Sequence, residues 1–300
     1  MHYCGLCLIV KDENEYLKEW VEYHLHLGVD HILIYDNESQ IPVTQTLADP
    51  EDTGRISIFQ VSGSGYGRQV VIYGRCLREH SHDYKWLGFI DADEFIVPTT
   101  GQNLPEILSE YEDFGGLAIP WLMYGSASHL TPPPEGVLAG YPLRSREKFE
   151  ANRHIKSIVQ CDRAAPINAI TPHHFTYNGT NHCVDENRRI VRGPDIKEGR
   201  TYDKIRLNHY FTRSRVDWLG KMKRGSAMGN YRRPEEFTAY ERDCNIVNDP
   251  VAVRIRNAMR WRQDHAMASL EFPKLEDGRP SANDTGSRWL ATNLAPQPEA

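Results

Sequence analysis

No run of about eighteen consecutive apolar residues occurs anywhere in this 300-residue chain, so its sequence encodes no membrane-spanning helix. The start, Met1-His2-Tyr3-Cys4, has neither a basic leader nor an apolar stretch of secretion-signal length. The chain therefore reads as cytoplasmic, or peripheral at the inner face of the membrane. Cysteine is scarce: six residues, at positions 4, 7, 76, 161, 183 and 244, which fit reduced thiols rather than a disulfide framework. Cationic excess is missing as well. Lys and Arg number 35 against 41 Asp and Glu, a net charge of −6, so a nucleic-acid partner is not expected.

Several catalytic signatures are also absent. The loop from Gly63 to Gly67 lacks the Walker lysine and the dinucleotide glycine spacing, and reads as a flexible turn. Ser145, Ser157 and Ser226 lie in no GxSxG-like setting, so a serine nucleophile has no support. His173-His174 and His182-Cys183 lack the partners of a zinc site. Cys4 and Cys7 have CxxC spacing but lead straight into Leu8-Ile9-Val10, which reads as a strand.

What is present is an apolar fraction of 40%, enough for a substantial core, and a regular alternation of strand and helix signals. Leu6 to Val10 is an apolar run of the kind found in buried parallel strands. Leu17, Trp20, Val21 and His24 recur at helical spacing, with Gly28 as a stop. His31 to Tyr35 is a second strand, which completes a strand–helix–strand unit. Ile56 to Val61, a helix carrying Val70, Tyr73 and Leu77, and a strand from Trp86 to Ile90 continue the pattern. Gly116 to Trp121 is a further strand, and Thr131 to Gly136, with three prolines, is a loop. The fold class expected is α/β with a central mixed, mostly parallel sheet. Ligands of such sheets bind beyond the carboxyl ends of the strands, where Lys11, Asp36 and Asp91 fall.

The strongest chemical signal is Asp91-Ala92-Asp93-Glu94 after an apolar strand. If the strand continues, Asp91 and Asp93 point to one side and offer hard oxygen ligands to Mn2+ or Mg2+, ions that also bind phosphates. The second signal is Asn208-His209-Tyr210 followed by Lys221 and Arg224. A neutral imidazole at His209 completes a metal shell begun by carboxylates. Lys221 and Arg224 stand three apart, so on a helix they share a face that can hold a diphosphate. Trp121 and Tyr124 are candidate platforms for a sugar ring, or core residues.

Lys11-Asp12-Glu13-Asn14-Glu15 with Trp20, Tyr23, His24 and Gly28, then Tyr35-Asp36-Asn37-Glu38-Ser39, resembles the start of glycosyltransferase family 92 and its bacterial family-2-like relatives. The stretch Trp86 to Ile96 with its DxDEF ending, Ile155 to Val159, and Asn208 to Gly225 resemble the later blocks of that family, in the same order. The resemblance implies a GT-A fold and an inverting transfer from a UDP-sugar to a glycan or lipid-linked hydroxyl. It divides residues 1–270 into a nucleotide-sugar-binding half (1–125), an acceptor half (126–250) and a C-terminal helix (251–270), with a polar tail at 271–300. It further implies that Asp36 contacts the base or ribose and that Asp91 faces the ribose or a metal-bound water. Asp93 and His209 would then bind the metal, while Lys221 and Arg224 hold the diphosphate. Position after the DxD makes Asp185 the expected general base, with Glu186 as alternate.

Two rival readings remain open: another metal-dependent nucleotide-sugar enzyme, a nucleotidyltransferase or phosphohydrolase, and a non-catalytic carbohydrate-binding module. The C-terminal helix carries Val251, Ile255, Met259 and Ala266 as an apolar stripe, with Arg254, Arg256, Arg260 and Arg262 mostly off it. That basic face reads either as a solvated surface or as a contact for an anionic membrane.

Overall fold

A computed structural model describes residues 1–47, 54–63, 67–169, 171–225 and 232–265. Its first half is β1 (His2–Val10), α1 (Asn14–His26), β2 (His31–Asn37), α2 (Val43–Thr46), β3 (Ile56–Val61), α3 (Arg68–His80), β4 (Tyr84–Phe89), β5 (Glu94–Pro98), α4 (Leu104–Ser109) and β6 (Gly116–Met123). There follow α5 (Val137–Gly140), β7 (Leu143–Arg144), β8 (Ile155–Gln160), β9 (Ala164–Ala169), β10 (Phe175–Tyr177), β11 (Cys183–Val184), β12 (Ile190–Val191) and β13 (Ile205–His209). The last described elements are α6 (Arg215–Arg224), α7 (Pro234–Cys244), β14 (Val247–Asn248) and α8 (Val251–His265).

The fold class expected from the sequence is the one observed. Strands β3, β2, β1 and β4 lie side by side and parallel. Beyond β4 the sheet becomes mixed: β8 runs antiparallel to both β4 and β6. Strand β13 pairs parallel with the far end of β6 and antiparallel with β5, which sets His209 opposite Glu94 and beside Met123. That register brings the DxDEF stretch and the Asn208-His209 stretch to one place, although more than a hundred residues separate them.

Side chains alternate across each strand, so the parallel half is buried on both faces. On β1, Cys4, Leu6, Leu8 and Val10 join the core under α1, while Cys7 faces the core under α3. The CxxC pair therefore points to opposite sides of the sheet, and cannot form one redox or metal site. All six cysteines are buried and free. Helix α1 supplies Leu17, Trp20, Val21 and Leu25 to the first core. Its Trp20 indole also donates to the Glu94 carbonyl at 2.7 Å, which fixes the start of β5. Helix α3 buries Ile72, Tyr73, Cys76 and Leu77 against the other face. Gly28 ends α1 as its sequence position implies. Its φ is +100°, and a Cβ there would meet Pro105 Cδ at 2.7 Å.

Two local expectations are corrected. The fourth strand stops at Phe89, and Asp91 begins a turn closed by the Glu94 N–H on the Asp91 carbonyl at 3.0 Å. Strand alternation therefore does not carry through Asp91 and Asp93, and their carboxylates diverge. On α8, Val251 and Ile255 are buried as the stripe requires, but Arg256 turns inward to the Glu135 carbonyl (2.8 Å) and Glu19 (3.7 Å) instead of presenting a free cation. The side chains of Met259, Arg260 and Arg262, the helix beyond His265 and the tail 271–300 lie outside the described residues.

One buried histidine ties stability to pH. His24 is fully buried; its Nδ1 bonds the Trp20 carbonyl at 2.8 Å, and its Nε2 accepts the Ile96 N–H at 3.3 Å. A second proton would set two donors face to face, and burial lowers its pKa to about 3. The folded value lies below the unfolded one, so this contribution is complete above about pH 6.5 and is lost as pH falls below it. From about pH 7.5 to about pH 5 this group should remove roughly 2 kcal/mol of stability. Urea titrations at the two pH values check it: His24→Gln should show a shallower loss than wild type, and equal losses would reject this role for His24.

Candidate active site

The carboxyl ends of β1 and β4, the start of β5 and the end of β13 meet in one place, with α6 along one side. Asp93 stands at the centre. Its Oδ2 accepts the Lys221 ammonium at 2.6 Å, and its Oδ1 faces His209 Nε2 at 3.4 Å. Burial alone would raise this carboxyl; the Lys221 ammonium and His209 override it and hold the group well below the usual range. Lys221 also donates to the Phe211 carbonyl at 2.6 Å, and burial brings its own pKa down to about 8 against the pull of Asp93.

Asp91 looks elsewhere. Its Oδ2 accepts Lys156 Nζ at 3.0 Å, and its Oδ1 accepts Gln69 and, at 3.3 Å, the Tyr73 hydroxyl. Lys156 is buried, and its ammonium also lies 3.7 Å from Glu94. Burial pushes the Glu94 carboxyl well above its ordinary range, and Asp91 and Asp93 add to this against the opposing pull of Lys156. Glu94 Oε2 takes the Asp91 N–H at 2.7 Å, while its Oε1 is buried without a hydrogen-bond partner.

A buried charge cluster closes the opposite side. Glu13, at the amino end of α1, offers no cap to its own helix. Its Oε2 instead receives Arg213 Nη1 and its Oε1 receives Arg224 Nη2, both at 2.6 Å. Arg213 continues to the Ala92 carbonyl at 3.1 Å, inside the acidic turn, and its guanidinium lies 4.2 Å from the Tyr16 ring centroid. Arg224 also binds the carbonyls of Lys11 and Asp12. Helix α6, which brings Lys221 and Arg224, starts in a capping box formed by Ser214 and Asp217. Asp217 is held from outside as well, by the Tyr16 hydroxyl at 2.8 Å.

The structure thus brings together Asp91, Asp93, His209, Lys221, Arg224 and the backbone of Lys11. Three expected residues do not join them. Asp36 is buried, and its carboxylate accepts the backbone N–H groups of Ser39 and Val43 and the Gln60 amide, all near 3 Å; it shapes the loop after β2. Asp185 accepts the Arg189 N–H at 3.0 Å and its Nε at 2.8 Å. Glu186 accepts the N–H groups of Asp203, Lys204 and Ile205. Ile205 begins β13 and His209 ends it, so Glu186 lies a strand length from His209. Asp185 and its alternate Glu186, the carboxylates expected as general base, thus accept hydrogen bonds from Arg189 and from the backbone of 203–205. Tyr124 is fully buried and belongs to the core. Glu13, Arg213, Lys156 and Gln69 are site residues the sequence reading passed over. A lone lysine inside the apolar run Ile155–Val159 was the available signal.

Among the described residues no three His, Cys, Asp or Glu side chains gather to hold a metal ion. The donors that do meet fit a divalent cation bound jointly by protein and ligand. Burial lowers the pKa of His209, which keeps it neutral, and its Nδ1 is buried without a partner, 4.0 Å from the equally unpartnered Glu94 Oε1. A carboxylate behind the second nitrogen is the usual support of a histidine ligand. Asp93 and His209 would supply two hard donors, and phosphate and water oxygens the others.

Fold and site define an α/β protein with a mixed acidic and basic cluster at the carboxyl ends of its parallel strands. Residues 2–226 match the profile of Glycosyltransferase family 92, and the chain belongs to that family. Among relatives, it is 28% identical over 177 residues to a glycosyltransferase family 92 protein of Oryza sativa subsp. japonica, covering 58% of this chain and 30% of that one. It is 25% identical over 223 residues to a galactan beta-1,4-galactosyltransferase of Arabidopsis thaliana, covering 69% and 40% respectively. The chain thus spans well under half the length of these curated relatives. A structure of S. aureus TarS in complex with UDP superposes with a TM-score of 0.36 at 13% identity, over 53% of this chain and 47% of that one.

Removing the charge of Glu13 leaves Arg213 and Arg224 without their shared carboxylate in a buried setting. Glu13→Gln should cost about 3 kcal/mol of stability, the scale of breaking a buried ion pair by removing one partner. Chemical denaturation followed by tryptophan fluorescence reads it directly. A loss below about 1 kcal/mol, the scale of an exposed pair, would show that this cluster is held by solvent-screened contacts.

Proposed function

We propose that this chain is a glycosyltransferase that moves a sugar from a UDP-sugar to the hydroxyl of a glycan or lipid-linked acceptor, with inversion at the anomeric carbon. The observation that carries this reading is the ionised Asp93 carboxylate, set between the Lys221 ammonium and His209 Nε2 at the carboxyl end of the parallel strands. Family membership and the galactosyltransferase relatives support it.

In the reaction the acceptor oxygen bonds to the anomeric carbon as the bond from that carbon to the diphosphate oxygen breaks. The acceptor's proton passes to a general base, Asp185 with Glu186 as alternate, and UDP departs carrying the negative charge. Arg213, Lys221 and Arg224 place three cations beside Asp93 and Glu13, with Asp217 also acting on Arg213. Lys221 and Arg224 are suited to the diphosphate, because preformed charge where a leaving group develops its own stabilises the transition state. Mn2+ or Mg2+ held by Asp93 and His209 would add to that neutralisation when bound. Lys156 fixes Asp91 against α3, and Arg213 fixes the turn through the Ala92 carbonyl.

Asp93→Asn should abolish transfer and remove the Mn2+-dependent part of UDP binding, since the amide loses the charge that holds a cation. His209→Ala should act in the same direction, less completely. Calorimetric UDP titrations with and without Mn2+, together with an assay of UDP release, measure both effects. Near-wild-type activity in Asp93→Asn would remove that residue from the proposed site.

A further inference from the structure

A cavity of about 370 Å³ lies between the 3-10 turn Glu150–Arg153 and α7. Its walls carry Phe149 and Tyr240, whose ring centroids stand 6.0 Å apart, edge to face, and His154, Arg153 and Asp243. Both walls lead to His209. On one side the His154 ring packs against Trp121 at 5.1 Å, and Trp121 packs against His209 at 4.3 Å. On the other side Tyr240 packs on Phe211 at 4.6 Å, and Phe211 lies 5.4 Å from His209. The polar side chains of the lining are Glu150, Arg153, His154 and Asp243, with Arg153 paired to Glu150 and, at 3.7 Å, to Asp195.

This combination points to a particular ligand. Aromatic rings bind the apolar C–H face of a pyranose, while the polar side chains around them bond its hydroxyl edge. The charged groups of the lining are already paired, Arg153 with Glu150 and Asp195 and Asp243 with Arg242, so the cavity offers polar edges but no uncompensated charge to a strongly charged ligand. We infer that the cavity between Phe149 and Tyr240 is a subsite for a neutral glycan acceptor, joined to His209 through the packed rings of Trp121 and Phe211. The inference rests on the glycosyltransferase reading above and gives its acceptor a location. It assigns the acceptor side to α7 and the turn after Phe149.

Binding of β-1,4-galactotetraose, cellotetraose and maltotetraose to the full chain, in the presence of UDP and Mn2+, tests it. At least one should bind and quench tryptophan fluorescence. Phe149→Ala and Tyr240→Ala should each weaken that binding roughly tenfold, the loss expected for one stacking ring, with UDP affinity unchanged as the measure of an intact donor site. In a transfer assay the acceptor KM should rise while the donor KM holds. Absence of binding by all three oligosaccharides at millimolar concentration, or equal binding by wild type and both variants, would overturn the subsite. Failure of the wild type to bind UDP or to release it from any UDP-sugar would instead count against the glycosyltransferase reading itself.

Discussion

The buried contact between Glu13 and the two arginines of the Asn208–Gly225 stretch is the constraint on which the rest of the site depends. A carboxylate with so little access to water is tolerable only when its oxygens are fully matched, and here each receives one guanidinium. The same two arginines then reach the Lys11 and Ala92 carbonyls, so one ionic contact positions the loop after β1, the acidic turn after β4 and the start of α6. Without it, nothing in the strand pairing alone would press α6 onto Asp93. The stability of this knot and the electrostatics of the site are one property.

The geometry also separates two jobs that a DxD motif seems to combine. Because the chain turns at Asp91, the first carboxylate is turned back into the protein, to Gln69, Tyr73 and Lys156, and becomes part of the frame. The second is left with Lys221 and His209. Glu94 lies behind both as a buried acid whose proton is favoured by its surroundings. One short stretch thus yields an anchor, a ligand-facing charge and a support for an imidazole, each distinguished by what surrounds it.

Much of this was legible in the chain itself. The apolar runs of β1, β2 and β4 and the helical spacing of α1 and α3 announce themselves because both faces of the parallel half are buried. The pairing of β13 with β5 and β6 is not local, and no periodicity reveals it; only the similarity of ordered blocks tied Asp93 to His209. The acids proved hardest to assign. Asp36, Asp185 and Glu186 look in sequence like any functional carboxylate after a strand, and the backbone N–H groups they accept become donors only when their loops close. Conversely, Glu13 reads as a helix-capping acid, and its structural role depends on partners two hundred residues further on.

That separation has a consequence for biogenesis. During synthesis the strands β1 to β4 and their helices emerge first and can associate through neighbouring, mostly local pairings. The partners of Glu13 and Asp93 leave the ribosome only with Arg213, Lys221 and Arg224. Until then the nascent domain carries carboxylates placed for burial but still obliged to stay hydrated, which keeps the mouth of the sheet open. Closure of that mouth therefore waits on the synthesis of α6, after the parallel strands have emerged.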